Sequence, residues 1–214
     1  MPDSQLKESE ESTVHTAHWQ QLAEMDRDET ARRAGCAYLR ESDSFVIRLL
    51  DEQYRVNMAA RSVYKPAEAG EPVPAGFLEE LCILTHLASA QDIPLANELV
   101  HAEKLDRGGF FFRGSHQLPI EKLAATLGGA PQLLLAVGEI LGARTCPFGD
   151  ASIEVLVLPR IPVTLIIWAG DEEFPARASI LFDKSAARQM PLDALYALAK
   201  LTIGRTIKLV EKKI

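Results

Sequence analysis

Residues 151–183 read ASIEVLVLPRIPVTLIIWAGDEEFPARASILFD. Three apolar runs follow one another there, each closed by turn residues. Ile153, Val155 and Val157 alternate with Ser152 and Glu154. Val163, Leu165 and Ile167 alternate with Thr164, Ile166 and Trp168. Ala176, Ala178, Ile180 and Phe182 alternate with Arg177, Ser179 and Leu181. A period of two with β-branched enrichment is a strand pattern, because successive side chains leave opposite faces of the backbone. The connectors Pro159–Pro162 and Gly170–Pro175 are too short for a parallel crossover, which needs about a dozen residues. The stretch therefore predicts a three-stranded antiparallel meander at the centre of the fold.

The same alternation recurs upstream. Phe45, Ile47 and Leu49 alternate with Ser44 and Arg48, and Tyr54, Val56 and Met58 alternate with Gln53, Arg55 and Asn57, with a turn at Asp51-Glu52. Ala37–Arg40 is a candidate for a preceding strand and Leu99–His101 for a short later one. Gly108-Gly109 reads as a turn entering another strand. Residues 65–76, KPAEAGEPVPAG, form a proline- and glycine-rich connector.

Helical spacing appears from Thr16, then from Asp26 to Ala34, where Asp26 and Glu29 have capping-box spacing and Gly35 is a suitable terminator. Phe77 to Ser89 places Phe77, Leu81, Leu84 and Ala88 on one stripe, with Glu79, Cys82 and His86 opposite. Pro119 and Pro131 each open a helix. Pro191 opens the last one, whose broad apolar arc runs from Leu192 to Leu209. Asp193, Lys200, Gly204 and Lys208 fall on its narrow opposite arc, and the sheet is the expected surface under the apolar side. These elements predict an α+β fold: an antiparallel sheet of the early strands and the meander, with helices packed on one face.

Residues 1–13 are acidic and polar with almost nothing to bury, so they predict a disordered tail before a single domain over 14–214. The apolar fraction of 47% is enough for a real core. A net charge of −7 argues against nucleic acid, which selects basic surfaces, and against an anionic membrane. Cys36, Cys82 and Cys146 are widely spaced and odd in number, as in a reducing cytoplasm, and they form no metal-binding spacing. The acidic N-terminus is not a targeting peptide, and the apolar run from Val155 to Trp168 is too short to span a bilayer. The expected location is cytoplasmic.

Pro159-Arg160-Ile161-Pro162, Trp168, Gly170-Asp171-Glu172-Glu173-Phe174 and Leu181-Phe182-Asp183 resemble an uncharacterised bacterial and archaeal family common in anaerobes. Residues 94–112 and 19–38 resemble its earlier parts. That family is classed as a domain of unknown function, sometimes found beside iron–sulfur-cluster segments of the kind seen in corrinoid methyl-transfer proteins. The resemblance implies an accessory or ligand-binding protein of anaerobic redox or one-carbon metabolism, with a corrinoid or iron–sulfur protein as partner. It transfers no catalytic residue.

The residues themselves offer several candidates. Asp171, Glu172 and Glu173 are the densest carboxylates, beside Trp168, whose indole could wall a pocket. Acidic loops bind hard cations or supply a general base, and they also serve as solvated turns that Asp171 closes and Phe174 pins. Cys146 follows Arg144, which could activate its thiol. Asp150 is a turn residue that bonds its own backbone. His101 and His116 flank the glycine-rich, aromatic segment and are candidate axial ligands for a haem or corrinoid. Arg107-Gly108-Gly109 and Arg113-Gly114-Ser115 are candidate anion loops. Cys82 and His86, at i and i+4, share a helix face as two metal ligands would, or as a half-buried thiol beside a surface histidine. His15 and His18 form a weaker pair. No set is assigned to catalysis or to a metal, and no cofactor is identified. A metal-assisted enzyme using loop 171–173 and a cofactor-free protein-interaction module are the alternative functions.

Overall fold

A computed structural model of the chain describes residues 16–67 and 70–212. The acidic segment 1–13 and His15 lie outside the described residues. Helix α1 occupies 16–24. Helix α2 (Arg27–Ala34) starts where Asp26 accepts from the Glu29 amide, and it stops at Gly35, whose φ of 66° suits a left-handed terminator. Strands β1 (Ala37–Leu39), β2 (Ser44–Leu49), β3 (Glu52–Asn57), β4 (Ser62–Lys65) and β5 (Val73–Pro74) follow, then helix α3 (Phe77–Ser89). Next come β6 (Leu99–His101), α4 (Gly108–Phe111), α5 (Ile120–Leu127), α6 (Gln132–Leu141) and β7 (Arg144–Thr145). The meander is β8 (Ala151–Leu158), β9 (Ile161–Trp168) and β10 (Arg177–Asp183), followed by α7 (Ala186–Gln189) and α8 (Leu192–Glu211).

The α+β class and the antiparallel meander are as the alternation predicts. The early strands, however, do not join the meander's sheet. They form a sheet of their own, ordered β1-β2-β3-β4-β5, while the meander lies in a second sheet, β6-β10-β9-β8-β7. Each hairpin satisfies its own hydrogen bonds, so the alternating pattern is blind to which sheet a strand enters. The sheets touch where the Leu50 amide donates to the Val157 carbonyl at 2.8 Å, beside a β-bulge between Leu156 and Leu158.

One face of the meander lies under helices, and both faces of its central strand β9 are buried. Ile153, Val155, Val163, Leu165, Ile167, Ile180 and Phe182 are buried there under α5 and α6. At Gly138 of α6 a β-carbon would meet Ile153 Cγ2 at 2.9 Å, so the missing side chain lets helix and sheet approach. Helix α8 does not lie mainly on the sheet. It packs against α3, α5 and α6, and Leu195, Leu198 and Ala199 are fully enclosed. Each large side chain enclosed this way contributes roughly 1.5–3 kcal/mol.

Three local expectations change. Helix α3 is buried from Cys82 to Ala88 all round, because α2, β2 and α8 enclose it, so Cys82 and His86 on its polar side meet no solvent. Gly108-Gly109 opens a short helix rather than a strand. The proline-rich connector contributes β5, which adds an edge to β4. Among the described residues, no single helix is long and apolar enough to cross a membrane.

Candidate functional site

The β2–β3 connection is only Leu50-Asp51, since Leu49 pairs with Glu52. Leu50 takes φ 56°, uncommon for a residue with a β-carbon, and its buried side chain and bond to Val157 hold it there. The turn aims Asp51 at α8. Arg205 answers with Nε donating to Asp51 Oδ1 at 2.9 Å and Nη2 donating to Oδ2. Between this turn, α3 and α8 opens a cleft of about 270 Å³. Leu78 and Leu201 are half-buried in its wall, and Tyr54 lies beneath.

Three acids line the cleft, and each is engaged. Asp51 holds Arg205. Glu52 Oε2 accepts from Lys65 Nζ at 2.9 Å and from the Tyr54 hydroxyl at 3.1 Å, while Oε1 lies 3.7 Å from Arg205. Glu79 Oε2 accepts from the Gly76 amide at 2.7 Å, capping α3. Burial raises the Asp51 carboxyl, but the Arg205 hydrogen bonds, a backbone amide and the charges of Arg205 and Arg48 outweigh it and hold it below the usual carboxylate range. Burial, then Glu79 and Glu52, push the Tyr54 hydroxyl far up, so it stays a donor. Four cations share the lining: Lys65, Lys200, Arg205 and Lys208. Lys65 and Arg205 have carboxylate partners, whereas Lys200 and Lys208 have none among the described residues. Lys200 instead lies 5.3 Å from the Tyr196 ring centroid. A β-carbon at Gly204, between the two lysines, would meet nothing within 4 Å.

The residues singled out by sequence fall elsewhere, on and around the meander's other face. Trp168 ends β9 half-buried, with the Arg177 guanidinium 5.6 Å from its ring centroid. Asp171 Oδ1 accepts from the Phe174 amide at 2.7 Å and the Glu173 amide at 2.9 Å, and these bonds hold its carboxyl low. It closes the turn as expected, but Phe174 is 65% exposed and pins nothing. Glu172 and Glu173 point to solvent. Asp150 does not bond its own turn. It reaches across to the Ala169 amide at 2.8 Å, so it fastens its loop to the end of β9.

Cys146 lies in a second cleft on this face, lined also by Leu95, Leu99, Phe148 and Pro162. Burial pushes its thiol up against the pull of Arg144, so the thiol is not activated. His101 pairs opposite Leu181 and is exposed. His116 stacks on Phe111 with centroids 4.5 Å apart, and Gly114 takes φ 57° in the turn beside it. Arg107 takes φ 61° to start α4 at Gly108 and Gly109.

Cys82 and His86 do share a face, but it is internal. The Cys82 thiol donates to the Ala194 carbonyl at 3.8 Å, and His86 Nε2 lies 3.0 Å from the Ala34 carbonyl. A carbonyl only accepts, so Nε2 carries the proton in the neutral ring. Burial pushes His86 down to about 4. The expected surface histidine is thus a core residue. His18 Nε2 lies 3.1 Å from Thr85 Oγ1. Among the described residues, no group of three or more His, Cys, Asp or Glu is disposed to hold a metal ion.

Sequence reasoning missed Asp51, Lys65, Arg205 and Asp183 as organising groups. Asp183 is 3% exposed, and it accepts from Ala96 N at 2.9 Å, Asn97 N at 2.7 Å and both donors of Ser185. Asp51 and Arg205 lie 154 residues apart, Asp183 and Asn97 lie 86 apart, and Lys65 and Glu52 lie 13 apart on different strands, and no local pattern encodes these pairings. One usable signal existed: Lys200, Gly204 and Lys208 recur every four residues. A glycine inside a long helix costs about 1 kcal/mol relative to alanine.

No curated protein and no solved structure matches the chain. Residues 26–205 match the family described as Domain of unknown function (DUF3786), and the chain belongs to that family.

Proposed function

We propose that the protein is an accessory, ligand-binding protein and that its site is the cleft between the β2–β3 turn, α3 and α8. The observation that carries this reading is Gly204. It leaves open space at the centre of a cleft whose far wall is stiffened by the paired charges of Asp51, Arg205, Glu52 and Lys65. A concave, partly apolar wall with a few placed polar groups is how small-molecule sites are built. Following the family resemblance, we infer a setting in anaerobic redox or one-carbon metabolism, beside a corrinoid or iron–sulfur protein.

The neutral dye N-phenyl-1-naphthylamine tests the site. It should fluoresce on binding the parent and fail to bind Gly204→Leu, while that variant keeps the parent's melting transition. Equal binding by both proteins overturns the reading. An interaction role is the second reading, favoured by exposed Leu156, Leu99 and Phe148 on and beside the meander's sheet. Leu156→Lys should then weaken capture of a partner without affecting the dye.

A further inference from the structure

We propose that this cleft takes a small organic oxyanion, a molecule with an apolar body and one carboxylate or phosphate group, held between Lys200 and Lys208 over Gly204. The inference rests on the reading of the cleft as a ligand site and names the chemistry of its occupant.

The charges point to the sign of the ligand. Four cationic and three acidic side chains line the cleft, in a chain with a net charge of −7. Both oxygens of Asp51 are taken by Arg205, Glu52 by Lys65 and Tyr54, and Glu79 by the start of α3. A cationic ligand would have to compete with Lys65 and Arg205 for these carboxylates. An anion meets Lys200 and Lys208, which have no carboxylate to surrender among the described residues.

The geometry points to where the acid group sits. Residues four apart on a helix share a face, so Lys200, Gly204 and Lys208 form one stripe. Their eight-residue separation spans about 12 Å along the axis, and Lys200 Nζ, which rests 5.3 Å from the Tyr196 ring centroid, swings back to meet an oxyanion over Gly204. The missing side chain at Gly204 lets an oxyanion approach the helix between them. Leu78 and Leu201 then offer their half-buried flanks to the apolar remainder.

Two dyes of nearly one shape separate the proposal from the reading it rests on. 8-Anilinonaphthalene-1-sulfonate carries an acid group, and N-phenyl-1-naphthylamine does not. The anionic dye should bind the parent about tenfold more tightly, an advantage worth about 1.4 kcal/mol. Lys200→Gln/Lys208→Gln should erase that advantage and leave the neutral dye's affinity unchanged. Added salt should narrow the gap in the parent, since the lysines are solvent-facing. Octanoate and phenyl phosphate, tried as competitors, distinguish a carboxylate from a phosphoryl ligand, and displacement by neither overturns the assignment. Equal affinity for the two dyes, with both lost in Gly204→Leu, overturns the oxyanion and keeps the cleft. Binding of both dyes unaffected by Gly204→Leu overturns the cleft and the oxyanion together.

Discussion

Arg205, near the end of α8, grips the carboxylate of Asp51, in the β2–β3 turn, with both arms of its guanidinium across 154 residues of sequence. The same turn carries the Leu50 amide that bonds the second sheet at Val157. Two residues thus tie the last helix, the first sheet and the meander's sheet together. Arg205→Met should cost about 1.5–3 kcal/mol, the usual range for hydrogen bonds to a charged group. Asp51 is held low in the native state, so the pair's contribution is whole at neutral pH. It is lost as pH falls below about 4 and through the depressed native value. Urea melts at pH 7 and pH 3 should show a smaller acid loss in Arg205→Met than in the parent.

His86 titrates in a different window. Its native value of about 4 lies below the ordinary 6.5, because a buried imidazolium has no water. The unfolded chain therefore binds the proton first. His86's contribution is full above about pH 6.5 and falls as pH drops toward 4. The parent should be about 2 kcal/mol less stable at pH 5 than at pH 7 from this group. His86→Gln, which keeps a donor for the Ala34 carbonyl, should flatten that slope in paired urea melts.

Two helical glycines should respond with opposite signs. Gly204→Ala adds a methyl into open space and should stabilise by about 0.5–1 kcal/mol through helix propensity. Gly138→Ala drives a β-carbon against Ile153 and should cost about 1–3 kcal/mol by overpacking. Denaturant midpoints of the two variants check both signs at once.

Asp183 is a hub that anchors segment 95–98 through the Ala96 and Asn97 amides. Burial raises its carboxyl, but the Ser185, Ala96 and Asn97 bonds win and hold it low. Asp183→Asn turns an all-acceptor group into one that must present a donor to donors. It should cost about 1.5–3 kcal/mol. Amide exchange should speed up at Ala96 and Asn97 before it does at β9.

Leu195 and Leu198 are fully enclosed on α8. Either leucine truncated to alanine should cost about 2–5 kcal/mol. A thermal or urea midpoint near the parent's would show that α8 does not carry the core between α3, α5 and α6.

The meander, the early hairpin, α2 with its Asp26 and Gly35 caps, and the long α8 were legible from sequence. Each depends on interactions within a few residues: alternation along a strand, a side chain bonding the third amide ahead, a glycine free to turn left-handed. Sheet membership was not legible. β2 and β8 carry the same alternation, and only packing decides that they belong to different sheets. Nor was the inward turn of His86, because a face looks polar in sequence whether water or α2 lies beyond it. The cleft is the extreme case. Asp51, Lys65, Gly204 and Arg205 are ordinary residues singly, and their meaning comes from positions that chain folding alone brings together. Short-range chemistry is written in the order of residues; a site assembled from a turn, three strands and two helices exists only once the core has set their distances.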